Sequence, residues 1–236
     1  MQVKIRPQLW LKIKPVKNSY CFFILFEDYK MSGLFITLEG VEGAGKSSLI
    51  AKIKEFLEAK EHKVECVREP GGTAIAEQIR QILKTPRNDE DLCDRCELLL
   101  MYAARSQLVN TKIKPLLSQN IDVICDRHDL SSIAYQGGGR GMDLELINKA
   151  RQVAIGDFKP DLTLLLDLNP KVGLERVRQR GALDRFELSE YAFFERVRQA
   201  YLDYAHTHPH EVKVINAEAP FSQVVSRALE EISCLL

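Results

Sequence analysis

Residues 34–47 read LFITLEGVEGAGKS. The first six form an apolar run of strand length. The last eight place Gly40 and Gly45 around four residues and follow them with Lys46 and Ser47. A strand, a loop of this spacing and then a helical pattern form the setting in which a phosphate-binding loop works. The glycines let backbone N–H groups turn inward, and the helix N-terminus adds partial positive charge. Lys46 is expected to reach the β- and γ-phosphates of a bound nucleoside triphosphate, and the Ser47 hydroxyl to ligate Mg²⁺. The nucleotide-binding residues expected are Gly40, Val41, Glu42, Gly43, Ala44, Gly45, Lys46, Ser47 and Ser48. Glu42 is the odd member, because a carboxylate aimed at phosphate would be repelled.

Downstream the chain alternates strand and helix. Strands are read at 63–69, 121–126, 161–168 and 212–217 besides 34–39, with DLTLLLDL (161–168) so apolar that a central place is expected. Helices are read over 46–60, 74–84 with Thr73 as N-cap, 92–118 with an interruption near Pro115, and 143–156. A further helix starts with Asn169-Pro170 and ends at Gly181. Phe193, Phe194, Val197, Tyr201 and Tyr204 mark another, and Val225, Leu229 and Ile232 mark a closing one. This alternation predicts a parallel sheet covered on both faces. Ligands then bind beyond the carboxyl ends of the strands, so the loops after Glu39, Arg68, Asp126 and Asp167 should converge.

The 236 residues carry 33 Lys+Arg against 33 Asp+Glu, a balance that argues against a dedicated nucleic-acid binder. No stretch approaches the ~18–20 apolar residues of a membrane span. Of six cysteines, Cys93 and Cys96 form a lone C-x-x-C. No second ligand pair completes a zinc site, and the surrounding DLCDRCELLL reads as an ordinary helix. Reduced thiols fit a cytoplasmic protein. Residues 1–30 differ in character from the rest; they are either an extension preceding the start at Met31 or a segment packed on the surface. The domain proper is read as 31–236.

VICD ends a strand in Asp126, the carboxylate expected in the magnesium shell, or else a simple cap of the following turn. Arg127 beside it favours the phosphate role. Asn148-Lys149-Ala150-Arg151 lacks the Asp of a guanine reader. A kinase for a small acceptor needs a second anion site, and Arg68, Arg105 and Arg127 are candidates, since the arginine fork binds phosphate in bidentate fashion. A P-loop ATPase acting on a macromolecule is the reading from another class.

Taken together, GVEGAGKS, REPGGT (68–73), YAARSQL (102–108), DRHDLSSIAYQGGGRG (126–141), GDFKPDLTLLLD (156–167) and RQRGALDRFE (178–187) resemble bacterial thymidylate kinase, in family order from about Met31 to the C-terminus. The resemblance implies a P-loop kinase of three-layer α/β/α fold, with a five-stranded parallel sheet and a mobile lid at about 178–187. It implies Mg²⁺-dependent transfer of the ATP γ-phosphoryl group to dTMP. It implies that Arg68 and Arg127 hold the acceptor phosphate, that Arg105, Ser132 and Gln136 address the thymine edge, and that Tyr135 sits by the sugar. Met101 stands where the family commonly has a Phe stacked on thymine, and whether Tyr102 substitutes is left open. Arg178, Arg180 and Arg185 are the lid cations, with Lys46, Asp126 and Arg127 completing the catalytic set. Glu42 either reaches the deoxyribose 3′-hydroxyl or faces solvent. A homodimer is implied, with neither nucleic acid nor membrane as partner.

Overall fold

The computed structural model describes residues 33–86, 90–179, 184–187 and 189–236. Residues 1–30, the start at Met31 and Arg180 lie outside the described residues. Five strands, β1 (Phe35–Glu39), β2 (Val64–Arg68), β3 (Asp122–Asp126), β4 (Leu162–Asp167) and β5 (Val212–Asn216), form one sheet in the order β2-β3-β1-β4-β5. Every pairing is parallel. The middle strand is therefore β1, buried along its whole length, and the more apolar β4 is its neighbour. The central place carries the phosphate loop.

Helices α1 (Lys46–Glu58), α2 (Ala74–Lys84), α3 (Asp94–Leu108), α4 (Lys114–Ser118), α5 (Asp129–Ser132), α6 (Leu144–Ile155), α7 (Pro170–Arg178), α8 (Tyr191–Thr207) and α9 (Phe221–Ser233) cover the sheet. Alternate residues of β1 serve its two faces. Ile36 and Leu38 pack with Leu49, Ile53 and Leu57 of α1, while Phe35 joins Leu108, Val109 and Ile155 on the other side. Several local signals hold. The Thr73 side chain accepts from the Ala76 N–H, and that of Asn169 from the Lys171 N–H. The interruption near Pro115 is a π-helical turn, Val109–Ile113, between α3 and α4. Proline brings no N–H and its ring crowds the preceding turn, which a widened turn accommodates.

Other details differ. Helix α7 stops at Arg178 with Gln179 as its cap, short of Gly181. The buried stripe of α9 is Val224, Ala228 and Ile232 rather than Val225 and Leu229. Helix α5 and a π-helical stretch, Ile133–Gly139, follow β3 where the sequence shows only a loop. The run of three glycines masks the helical pattern there.

Candidate active site

A cavity of about 510 Å³ opens at the carboxyl end of the sheet. The loops after β1, β2 and β3 reach it as expected, but the end of β4 does not. Asp167 is instead clamped by Arg198, at 2.6 and 2.9 Å.

The loop between β1 and α1 is shaped by close backbone packing. A Cβ on Gly43 would stand 2.4 Å from the Gly173 carbonyl oxygen of α7, and one on Gly173 would stand 2.3 Å from that of Glu42. Both positions therefore require glycine. Gly45, in the left-handed region at φ 91°, is the N-cap of α1. The Lys46 ammonium donates back to the carbonyls of Gly40 and Val41, at 3.0 and 3.1 Å. Burial, and next the charge of Arg127, lower the Lys46 amine to about 8, against the pull of Asp126, Glu42 and Glu39. An amine so poised gains most from phosphate oxygens. Ala44, Ser47 and Ser48 line the cavity with these residues, whereas Gly40 and Val41 contribute backbone behind it.

Opposite the loop stands Arg127, the residue after β3. Its φ of 71° turns it out of the strand. One guanidinium nitrogen, Nη2, donates to Glu42 Oε1 at 2.9 Å, and the other, Nη1, faces the Tyr201 and Ser131 hydroxyls at 3.2 and 3.4 Å. Tyr135 donates its hydroxyl to Glu42, at 2.7 and 2.6 Å to its two oxygens, and lies with its ring 5.0 Å from the guanidinium carbon. Burial works against the Arg127 charge, but Tyr135 and Glu42 outweigh it and raise its affinity for the proton well above the usual. Glu42 thus points from the phosphate loop across to the arginine. Arg68, at the end of β2, lines the same cavity while Nη2 donates to both oxygens of Glu77.

At the far end Met101 and Gln136 line the cavity. Tyr102 does not stand in for the missing aromatic ring, because it turns to Asp129, donating its hydroxyl at 2.9 Å. The Gln136 amide donates through Nε2 to Glu97 at 2.8 Å, and its Oε1 is buried without a protein partner. Since Glu97 only accepts, it fixes which end of the amide is left over.

Arg105 and Ser132, expected on the thymine edge, lie beneath the wall instead of lining it. Arg105 is 0% exposed. It donates to Glu69 Oε2 (2.7 Å), Ser132 Oγ (2.9 Å) and the His128 carbonyl (2.9 Å), with Asp129 at 3.4 Å. Burial alone would raise the Glu69 carboxyl, but Arg105 and His128 hold it below its usual range. The lid cations divide similarly. Arg178 is exposed at the end of α7, and Arg185 is held by the Leu83 carbonyl (2.7 Å) and by Glu97 (2.5 Å). Just before that stretch, on α7, Arg176 reaches the phosphate loop and donates to the Gly43 carbonyl at 3.1 Å. Sequence reading also missed Arg80 and Lys84, which line the cavity from α2. The only signal was their nearness to REPGGT, seven and eleven residues after Thr73.

The thymidylate kinase family profile matches residues 38–228. The chain belongs to the thymidylate kinase family. It is 54% identical over 204 residues to thymidylate kinase of Idiomarina loihiensis, covering 85% of this chain and 98% of the relative. To thymidylate kinase of Vibrio parahaemolyticus it is 48% identical over 202 residues, covering 85% and 95%. A crystal structure of thymidylate kinase from Ehrlichia chaffeensis shares the fold with a TM-score of 0.69 at 30% identity, covering 86% of this chain and 99% of that one. Within a thymidylate kinase the two halves of the cavity acquire a direction, from the phosphate loop to the arginine and amide side.

Proposed function

We propose that the protein transfers the γ-phosphoryl group of ATP to dTMP, giving dTDP and ADP, a step of dTTP synthesis. The observation that carries this is a phosphate loop and an arginine pair, Arg68 and Arg127, on one cavity that ends in an uncommitted amide oxygen. Such facing anion sites suit a transfer between two phosphates, where catalysis consists of positioning and charge stabilisation.

In this reading Gly40 to Ser48 cradle the donor phosphates, with Lys46 on the β and γ groups. Arg127 and Arg68 hold the acceptor phosphate. Glu42, anchored by Arg127 and Tyr135, accepts from the deoxyribose 3′-hydroxyl, and Tyr135 closes the space beside the sugar against a 2′-hydroxyl. Gln136 Oε1 accepts from the thymine ring N–H, while Arg105 and Ser132 support that wall. The lid at 178–187, bearing Arg178 and Arg185, brings charge to the moving phosphoryl group. Arg176 supplements it from the loop side.

Mg²⁺ fits the donor side. Asp126 Oδ1 is buried with no protein partner, and Ser47 offers a hydroxyl at the start of α1. These are hard oxygen donors of the kind Mg²⁺ shares with substrate phosphates. When bound, the ion neutralises charge between the β- and γ-phosphates. Ser47 and Asp126 hold their oxygens on the cavity in readiness for it.

The enzyme is assigned as a homodimer. Exposed apolar side chains on α2 (Ile75, Ile82), α3 (Leu99, 64% exposed) and α6 (Leu146, Val153, 91% exposed) lie on helices that pack against one another in sequence. Exposed apolar side chains of this kind are what an obligate interface buries. Among the described residues no helix is long and apolar enough to cross a membrane. A cytoplasmic setting is in keeping with the free thiols of Cys66, Cys93, Cys96, Cys125 and Cys234.

A coupled ADP-release assay over dTMP, dUMP, dGMP and dCMP tests the reading. dTMP is expected to give the highest kcat/KM, and turnover with dTMP no greater than ATP hydrolysis alone would refute it. Met101 adds a second expectation. Met101→Phe places a ring where the buried thioether now meets the base, and should lower the KM for dTMP by about two- to tenfold, since a stacked ring pair is worth about 0.5–1.5 kcal/mol. An unchanged or raised KM would remove Met101 from the thymine contact.

A further inference from the structure

We infer that Glu39 is a positioning residue for the acceptor arginine: it orients the hydroxyls of Ser131 and Tyr201 so that both turn lone pairs to Arg127. This rests on the role given to Arg127 above.

Glu39 is the last residue of β1, 0% exposed, and it takes no part in the phosphate loop. Its Oε1 accepts from the backbone N–H groups of His128 (2.7 Å) and Ser131 (3.3 Å). Its Oε2 accepts from the hydroxyls of Ser131 (2.6 Å) and Tyr201 (2.8 Å). Those two hydroxyl oxygens are 2.9 Å apart and stand 3.4 and 3.2 Å from Arg127 Nη1. A hydroxyl has one hydrogen to give and a carboxylate can only accept. Once both hydrogens go to Oε2, only lone pairs remain for the guanidinium. Glu42 meanwhile holds Nη2 directly.

Arg127 is therefore gripped on both arms of its fork: Nη2 by a carboxylate of the phosphate loop, Nη1 by a hydroxyl pair whose polarity a second, buried carboxylate sets. The arrangement joins β1, α5 and α8, with Glu39 and Tyr201 separated by 162 positions. Burial raises the Glu39 carboxyl above its usual range against the opposing pull of Arg127, Ser131, His128 and Tyr201, while the four donors that converge on its two oxygens fix it as an acceptor. A neutral amide in its place would reverse the polarity, because its N–H groups would donate to the hydroxyls and turn their hydrogens onto the arginine.

Steady-state kinetics with dTMP and ATP varied separately test this on Tyr201→Phe and Glu39→Gln. Tyr201→Phe should raise the KM for dTMP about tenfold, the loss of one hydrogen bond to a charged group, with the KM for ATP within about twofold of wild type. Glu39→Gln keeps the shape and should do at least as much. A merely structural Glu39 would tolerate the isosteric amide, so this variant separates the two roles. In an Arg127→Ala background, dTMP affinity by calorimetry should be insensitive to Tyr201→Phe. If Glu39→Gln fails to fold, Tyr201→Phe carries the test with its own melting curve as control. A wild-type enzyme active on dTMP whose two variants keep its KM overturns the inference alone, as does an equal effect without Arg127. A wild-type enzyme inactive on dTMP overturns the function and the inference with it.

Discussion

Arg127→Ala should lower kcat/KM for dTMP by about 10²–10⁴ while leaving the dissociation constant for ATP within about threefold. The guanidinium is the only described cation held in the cavity by both Glu42 and the Ser131–Tyr201 hydroxyl pair. That fixes it before any acceptor arrives. A pre-fixed fork meeting a phosphate makes charge-assisted hydrogen bonds worth about 1.5–3 kcal/mol each, and two of them account for the expected range. The substitution introduces no new backbone problem: the left-handed φ of 71° is paid by any residue other than glycine. It does leave Glu42 with Tyr135 alone as partner, so the melting temperature should be measured alongside. Arg127→Lys keeps the charge but not the fork, and should recover only part of the loss. Calorimetry on ATP decides the assignment. A fall in ATP affinity as large as the fall in acceptor use would place Arg127 on the donor side.

What could be read in the sequence was whatever the chain states locally. The phosphate loop, the Asp126-Arg127 pair at a strand end and the caps at Thr73 and Asn169 each depend on neighbours within a few positions, and each stands where the pattern puts it. The direction of Glu42 was legible only as an alternative. Its partners, Arg127 and Tyr135, come from 85 and 93 positions away. Glu39 was invisible as a functional residue, because an acid closing an apolar strand looks like a boundary marker until Tyr201 is folded onto it. Arg176 was hidden differently. It lies on α7 among other arginines, and only the contact between the Gly43 and Gly173 backbones brings it to the loop. The same limit explains Arg105. Its motif says nothing of its burial, because depth below the cavity wall is a property of packing that no local pattern encodes.

That depth makes Arg105→Ala the most damaging change expected for the fold. The side chain lies wholly inside, over the Tyr102 ring at 4.7 Å, and joins α3 to the loops after β2 and β3. Removing it leaves the Glu69 carboxylate, 2% exposed, with His128 at 2.8 Å as its remaining side-chain partner, and empties a space walled by polar groups. Breaking a buried ion pair from one side costs about 3–5 kcal/mol. A domain of this size loses about 2–4 °C of melting temperature per kcal/mol, so the ligand-free variant should melt about 6–20 °C lower. Arg105→Lys should not restore it, since one ammonium cannot reach Glu69, Ser132 and the His128 carbonyl together. Thermal melts with and without dTMP separate support from direct contact. A supporting arginine lowers the ligand-free melt by this full amount, because its ion pair and hydrogen bonds are already made in the empty cavity. An arginine that instead spends its fork on thymine would leave the ligand-free melt within about 2 °C of wild type and abolish most of the stabilisation that dTMP confers through linkage; that result would return Arg105 to the base-reading group.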